Sequence, residues 1–249
     1  MILKKILTVL LVTLCSFSMA SADTLGFRVG GGIWQPDAEG KFRQGSGSNI
    51  DLDSNLKLKD GEDQNYVYAV LEHPLPLIPN FKVANTTLSF NGTGDSPTSF
   101  TYGGKTFTTN LTSKLVLDHS DVTAYYQFLD NWLNFDLGLT ARSFAGELTV
   151  TNGTDTYTSN IDQTVPMLYG ALGISMPFLS GLYAGIEVNY IEYDGSMIKD
   201  HIAKISYTTS YLVGIEVGVR TFTIELDNVN NNYSEMEFTG SYASLYIHF

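Results

Sequence analysis

A single cysteine, Cys15, is the only thiol in these 249 residues, so no intrachain disulfide can staple the fold. Basic residues are scarce as well: 14 Lys and Arg stand against 26 Asp and Glu, a formal net charge of −12. That balance argues against nucleic acid as a partner and against a broad basic face for anionic phosphates. Past the first residues no segment reaches about 18 unbroken apolar residues, which argues against a helical membrane protein. No repeat with a period of roughly 20 to 50 residues is present either, so solenoids and propellers drop out. What is abundant is 15 Tyr, 14 Phe and 23 Gly, with only 16% of the chain charged. This composition suits one large β domain.

The first residues read as a targeting segment, to be set aside before any fold reasoning. Lys4 and Lys5 supply the positive start, Ile6 to Leu14 a short apolar run, and Ala20-Ser21-Ala22 a small-x-small cleavage site. The expected division is a cleaved signal peptide over 1–22 and a barrel domain over 23–249. Leu14 before Cys15 argues against lipidation, and Cys15 leaves with the signal. Without Lys4 and Lys5 the mature chain has 12 basic residues against 26 acidic ones, a formal charge of −14.

Several segments alternate with period two, which in a strand collects the apolar set on one face. In Asn131 to Arg142 the apolar face is Leu133, Phe135, Leu137, Leu139 and Ala141. Leu182 to Tyr190 and Tyr211 to Arg220 repeat the pattern. The opposite face mixes Gly with Asp, Glu and Arg, as a crowded polar lumen would. Ten strands are expected near 24–35, 64–73, 80–91, 114–128, 132–143, 165–177, 182–193, 205–218, 220–228 and 238–249. Short connections (74–79, 129–131, 178–181 and a tight turn near Val219) alternate with long ones (36–63, 92–113, 144–164, 194–204 and 229–237). Short periplasmic turns and long outer loops are the signature of a transmembrane antiparallel up-and-down β-barrel, here of ten strands with eight as the alternative. A membrane strand must satisfy every backbone group, and closure does this.

So narrow a barrel should hold packed polar groups, not a wide pore. The lumen-facing charges expected are Arg28, Glu72, Asp136, Arg142, Glu187, Glu216, Arg220 and Glu225, paired as an ionic plug. Opposed Arg and Glu at mid-depth would mark a plug, and a ring of one sign a small-solute pore. Trp34 and Trp132 are expected at the two membrane interfaces. Leu245, Ile247 and Phe249 alternate outward at the carboxyl end, like the terminal signal that outer-membrane assembly machinery reads. That machinery, outer-membrane lipid and lipopolysaccharide are the expected partners. No cofactor and no metal are expected.

Gly30-Gly31-Gly32-Ile33-Trp34-Gln35-Pro36 and the turn Glu72-His73-Pro74-Leu75-Pro76-Leu77-Ile78-Pro79-Asn80 carry a family resemblance. With the signal and Phe249, they resemble a family of uncharacterised proteobacterial outer-membrane β-barrel proteins marked by an N-terminal Gly-Gly motif. The resemblance spans the mature chain. It implies location and fold and no established activity.

A hydrolase is the competing class. His119, Ser120 and Asp121 are adjacent, but strand neighbours point to opposite faces and do not converge on one proton. Asp200-His201 falls in an expected outer loop, where it could meet Asp51, Asp53, Asp60 or Asp63 of the first loop, yet no spacing singles out a pair. His73 and His248 have no metal-ligand spacing to another ligand. The acidic first loop lacks a calcium-loop pattern. The sequence therefore favours a structural or surface-interaction role, with a solute channel and a hydrolase as alternatives.

Overall fold

The computed structural model describes residues 25–58, 62–75, 77–176 and 178–249. The expected signal over 1–22, with Cys15, lies outside the described residues, as do Asp60, Gly61 and Pro76. Among the described residues all regular structure is β. The strands are β1 (Gly26–Gln44), β2 (Ile50–Asp51), β3 (Gln64–Glu72), β4 (Asn80–Thr86), β5 (Ser89–Gly94), β6 (Phe100–Tyr102) and β7 (Lys105–Phe107). They continue as β8 (Leu111–Asp130), β9 (Leu133–Thr151), β10 (Thr156–Ser175), β11 (Leu182–Tyr193), β12 (Ser196–Thr208), β13 (Val213–Val229) and β14 (Asn232–His248). Each stave pairs antiparallel with its sequence neighbour, and β14 returns to β1 from Arg28↔His248 to Gln44↔Asn232. Counting β4 and β5 as one broken stave against β8, ten staves close the barrel and leave no free edge. The ten-strand expectation holds.

The polarity of the staves inverts along their length, and this locates the membrane. On the lower half of β8, Val122, Tyr126 and Phe128 face outward and exposed, while Thr123 and Tyr125 are buried inward. On its upper half Leu111, Leu115 and Leu117 turn inward, while Thr112, Lys114 and Ser120 are exposed. β13 does the same. Val213, Ile215, Val217 and Val219 face outward around the buried Glu216 and Arg220, and above them Phe222 and Ile224 point inward. Lipid solvates an apolar exterior and water a polar one, so the lower half is the membrane-spanning belt. The upper half is a head folded like a water-soluble protein. Leu139, 62% exposed, sits in the belt. Leu139→Arg is expected to lower stability by about 2–4 kcal/mol. Ala145→Arg on the same stave lies between Asp118 and Asp162 above the belt, and should change it by about 0.5 kcal/mol or less. Urea midpoints for loss of the heat-modifiable band would separate the two.

The expected long outer loops are mostly stave and core. The 144–164 connection is an extension of β9 and β10 closed by Asn152 to Asp155. The 194–204 connection shrinks to Asp194-Gly195, both at positive φ, and the 229–237 connection to Asn230-Asn231, also at positive φ. Two such residues in sequence form the primed turn that matches strand twist. Residues expected as the eighth strand start earlier, in β12. The turn expected near Val219 lies instead at Thr209 to Leu212, where Thr209 Oγ1 donates to the Val213 carbonyl (2.8 Å).

Segments leaving the wall fill the head. Ile50, Leu52, Leu56 and Leu58 between β1 and β3, with Leu88, Phe90, Phe100 and Phe107, pack into the buried apolar core. Phe90 stacks on Phe238 (5.4 Å between centroids) and Phe238 on Phe222 (5.9 Å). Tyr102 packs edge-on against Tyr157, and burial pushes its hydroxyl up to about 12. Asp51 of the acidic first loop accepts from the Ser54 backbone (2.7 Å) and closes a turn. Among the described residues no three His, Cys, Asp or Glu side chains gather to hold a metal.

Candidate functional site

The lumen beneath the head holds the charged side chains of the belt, stacked as two neutral clusters. The upper one is built on Asp200 of β12. Arg220 of β13 grips it with two bonds, Nε to Oδ1 (3.0 Å) and Nη2 to Oδ2 (2.7 Å). Arg142 of β9 reaches it through Nη2 (2.6 Å) and also makes a two-point contact with Asp121 of β8 (2.8 and 2.7 Å). Two guanidiniums and two carboxylates cancel, and the planar fork matches the carboxylate geometry. Arg220 Nη1 donates to Thr86 (3.1 Å), and its guanidinium lies 4.6 Å from the Trp34 ring and 5.2 Å from Tyr66. Arg220 Nη2 also donates to His119 Nε2 (3.1 Å), so the ring proton sits on Nδ1 and is given to the Leu117 carbonyl (2.9 Å). His119 is thus a neutral strut.

The lower cluster uses lysines. Lys82 of β4 pairs with Glu187 of β11. Lys204 of β12 bridges Glu187 (2.6 Å) and Glu216 (3.2 Å). Tyr68 donates to Glu216 (3.1 Å), and Tyr242 donates to the same oxygen. Between the clusters lies a gap of about 20 Å³ lined by Arg142, Asn189, Lys82 and Glu187, room for about one water. Below the lower cluster the lumen widens into a vestibule of about 420 Å³, with Asp130, Asn134, Ser175, Gly181 and Thr208 of the periplasmic ends at its mouth. Tyrosines panel it. The Tyr183 ring covers the wall at Gly173 and Gly185, where a Cβ would stand 2.1 and 2.4 Å from the phenol oxygen. Gly30, from the glycine run, likewise leaves room for the ring of Tyr68.

Seven of the eight expected lumen charges face inward: Arg28, Glu72, Asp136, Arg142, Glu187, Glu216 and Arg220. Their partners differ from expectation, since Arg142 and Arg220 take Asp121 and Asp200, and Glu187 and Glu216 take Lys82 and Lys204. Glu72 accepts from Tyr125 (3.0 Å) and Gln127 (3.3 Å). Glu225 is a correction. It faces outward, above the belt, because β13 runs unbroken through Val219 and Glu225 therefore has the opposite parity to Glu216 and Arg220. Trp34 is another. It is fully buried in the lumen against Arg220, since inward positions on β1 are even-numbered. Trp132 is 61% exposed at the β8–β9 turn. Leu245, Ile247 and Phe249 are exposed outward, and Phe249 exchanges backbone bonds with Phe27 (3.1 and 2.8 Å).

The candidate hydrolase groups do not converge. Ser120 is exposed on the outer face while His119 is buried inside. Asp200-His201 is in β12, not a loop, and Asp200 is committed to two arginines while His201 points to the other face. Asp63 of the first loop is taken by Gln35 (2.6 Å). His73 braces its turn, accepting at Nδ1 from the Leu75 backbone (3.2 Å) with Nε2 at the Pro79 carbonyl (3.0 Å).

No family model matches this sequence, and no curated protein does. Among solved structures it is similar to the outer membrane protease OmpT from Escherichia coli. That match has a TM-score of 0.58 at 10% identity, covering 92% of this chain and 99% of that one. The Pseudomonas putida toluene transporter TodX matches with a TM-score of 0.35 at 10% identity, over 94% of this chain and 91% of that one. A major outer membrane protein from Thermus thermophilus matches with 0.31 at 11% identity, over 91% of this chain and all (100%) of that one. At 10% identity the likeness to OmpT carries the fold alone. Closed staves, an apolar belt and a polar lumen make this chain an outer-membrane β-barrel.

Proposed function

We propose that this barrel neither conducts nor catalyses, and that it works as a structural and surface-interaction protein through its rigid head. One observation carries the reading: three seals are stacked along the axis, an apolar core above and two charge-neutral clusters below it. An ion entering from outside would have to cross a close-packed core before meeting a polar group. The head offers a stiff, solvated wall. Cross-strand pairs such as Ser143–Thr164 (2.9 Å) and Thr149–Thr158 (2.8 Å), and ion pairs such as Lys114–Glu147 (2.9 Å), cover its outside. Lipopolysaccharide is the partner that this height above the belt suggests, and the alternating Leu245, Ile247 and Phe249 suggest the assembly machinery. The Gly-Gly-marked family remains the kinship that the glycine run and proline turn suggest.

Planar-bilayer recording of the refolded chain, shown to be folded by heat-modifiable migration, tests the central point. The expected trace is silent. It should stay silent in the double variant Glu187→Gln, Glu216→Gln, because the core above is untouched. Stable steps from the unaltered protein would overturn the reading and bring the solute-channel alternative forward.

A further inference from the structure

The vestibule is blind at its upper end and open at its lower one. Its ceiling is the Lys82–Glu187–Lys204 cluster, and its mouth is at the periplasmic turns. A molecule in it therefore enters and leaves on the same side. Two of its lining residues stand out. Among the described residues Arg28 Nε and Asp136 Oδ1 are both buried and have no hydrogen-bond partner. In the two clusters above, Arg142 Nη1 alone among the charged atoms is left without a bonded partner, so an unpaired guanidinium nitrogen and an unpaired carboxylate oxygen in one cavity call for an explanation. A buried polar atom without a partner costs stability, and a ligand that supplies the partner recovers that cost.

The two groups sit on walls far apart around the ring. Arg28 is on β1 and Asp136 on β9, with β3, β4 and β8 between them. The space between is faced by Tyr68, Tyr125, Tyr169, Tyr183, Tyr242 and Tyr246. Arg28 already lies over the Tyr246 ring (5.3 Å), which holds its guanidinium against the wall. Glu72 shares the lining and offsets part of the Arg28 charge, but its Oε1 accepts from Tyr125 and Gln127 and it makes no ion pair with Arg28. Asp136 has Asp130 and Glu72 on the same lining, so its side of the cavity favours a cation. Phenol rings flank both ends with flat faces for an apolar body and attract an ammonium group by their quadrupole.

We infer that the vestibule is a periplasm-facing binding site for a small zwitterion of the amino-acid or short-peptide class, with its carboxylate on Arg28 and its ammonium on Asp136. The volume of about 420 Å³ lies at the small end of ligand pockets and limits the occupant to a few residues. The blind ceiling makes this a site of capture or sensing, not of passage. It stands apart from the head and does not depend on what the head contacts.

The test is calorimetric titration of the full chain in nanodiscs with alanyl-alanine, N-acetyl-alanyl-alanine and alanyl-alanine amide. The free dipeptide should bind saturably, one per barrel, and each blocked peptide should bind about ten-fold more weakly, the loss of one charged hydrogen bond. Arg28→Gln should weaken the free dipeptide about ten-fold and leave the amide unchanged. Asp136→Asn should do the reverse, weakening the free dipeptide and leaving the acetylated form unchanged. Asp136→Asn removes an unpaired charge, so the barrel should fold at least as well, as heat-modifiable migration would record. No saturable binding by a folded barrel, equal affinity for all three peptides, or indifference to both substitutions would each overturn the inference.

Discussion

Asp200→Ala is expected to be among the most damaging single substitutions in the lumen, lowering stability by about 3–5 kcal/mol. The carboxylate accepts three bonds, one from Arg142 and two from Arg220, and is 4% exposed. Removing it leaves Arg220 without a carboxylate and Arg142 with Asp121 alone. Neither guanidinium can lose its proton, and the gap beside them has room for about one water, too little to replace three bonds to a carboxylate. Asp121→Ala should cost less, because Arg142 keeps Asp200 and Arg220 is untouched. Asp200→Asn restores an acceptor without the charge and should recover only part of the loss. Trp34 provides the readout, since Arg220 lies over its ring and unfolding, which parts the two, will change its emission. Urea titration followed by that emission, and separately by migration, should give a common midpoint that falls in the order Asp121→Ala, Asp200→Asn, Asp200→Ala. Equal midpoints for Asp200→Ala and the unaltered chain would mean that the cluster adds nothing to stability.

The same cluster marks where sequence reasoning stops. Arg142 and Arg220 are legible as lumen residues because each stands on a run of clean alternation, Leu133 to Ala141 and Val213 to Val219. Their partner Asp200 is not. The inward set of β12 is Ile198, Asp200, Ile202, Lys204 and Ser206, and its outward set includes Lys199 and His201. Apolar and charged residues fall on both faces, because the strand crosses from head to belt and its polarity inverts midway. A mixed stretch after Asp194-Gly195 reads as a polar loop, and Asp200 is hidden in it. Lys204, just ahead of the expected eighth strand, is hidden in the same way. Lys82 lies within an expected strand. Its role escapes the sequence because a lysine in a membrane stave shows its partner only once β11 and β12 close round it.

The turn at Thr209 to Leu212 has a second consequence. It contains no Gly, Pro, Asn or Asp, and its left-handed position is taken by Leu212 (φ 67°). Its turn chemistry is the weaker kind, a Thr209 hydroxyl that bonds the backbone of Tyr211 and Val213. Placing a turn at Val219 instead reverses the parity of everything after it within that strand, and Glu225 moves to the wrong face. The barrel count survives because one strand is mis-cut on each side of the error. The apolar head is hidden for a related reason. Leu52, Leu56, Leu88, Phe90, Phe100 and Phe107 are scattered among Asn, Ser, Thr and Asp, so each segment looks solvated alone. Only the assembled wall brings them to one core.

Phe222→Ala tests that core where it meets the charges. Phe222 is fully buried, stacked 5.9 Å from Phe238 and 6.2 Å from Phe144, with the Arg142 guanidinium 5.3 Å from its ring. The barrel wall fixes the backbone on every side, so the surroundings have little freedom to close over a lost ring. The expected loss is about 3–5 kcal/mol, at the upper range for cavity formation. Phe222→Leu keeps most of the volume and should cost about 1.5 kcal/mol at most. Conductance is expected to answer differently from stability. The two ion clusters lie below Phe222 and rest on Asp200, Glu187 and Glu216, whose bonds the substitution leaves in place. A destabilised Phe222→Ala barrel that still gives a silent bilayer would mean that the seals are independent and that the lower two suffice. Current through that variant would mean that ions can slip past the paired charges, and that the apolar head alone keeps the membrane tight.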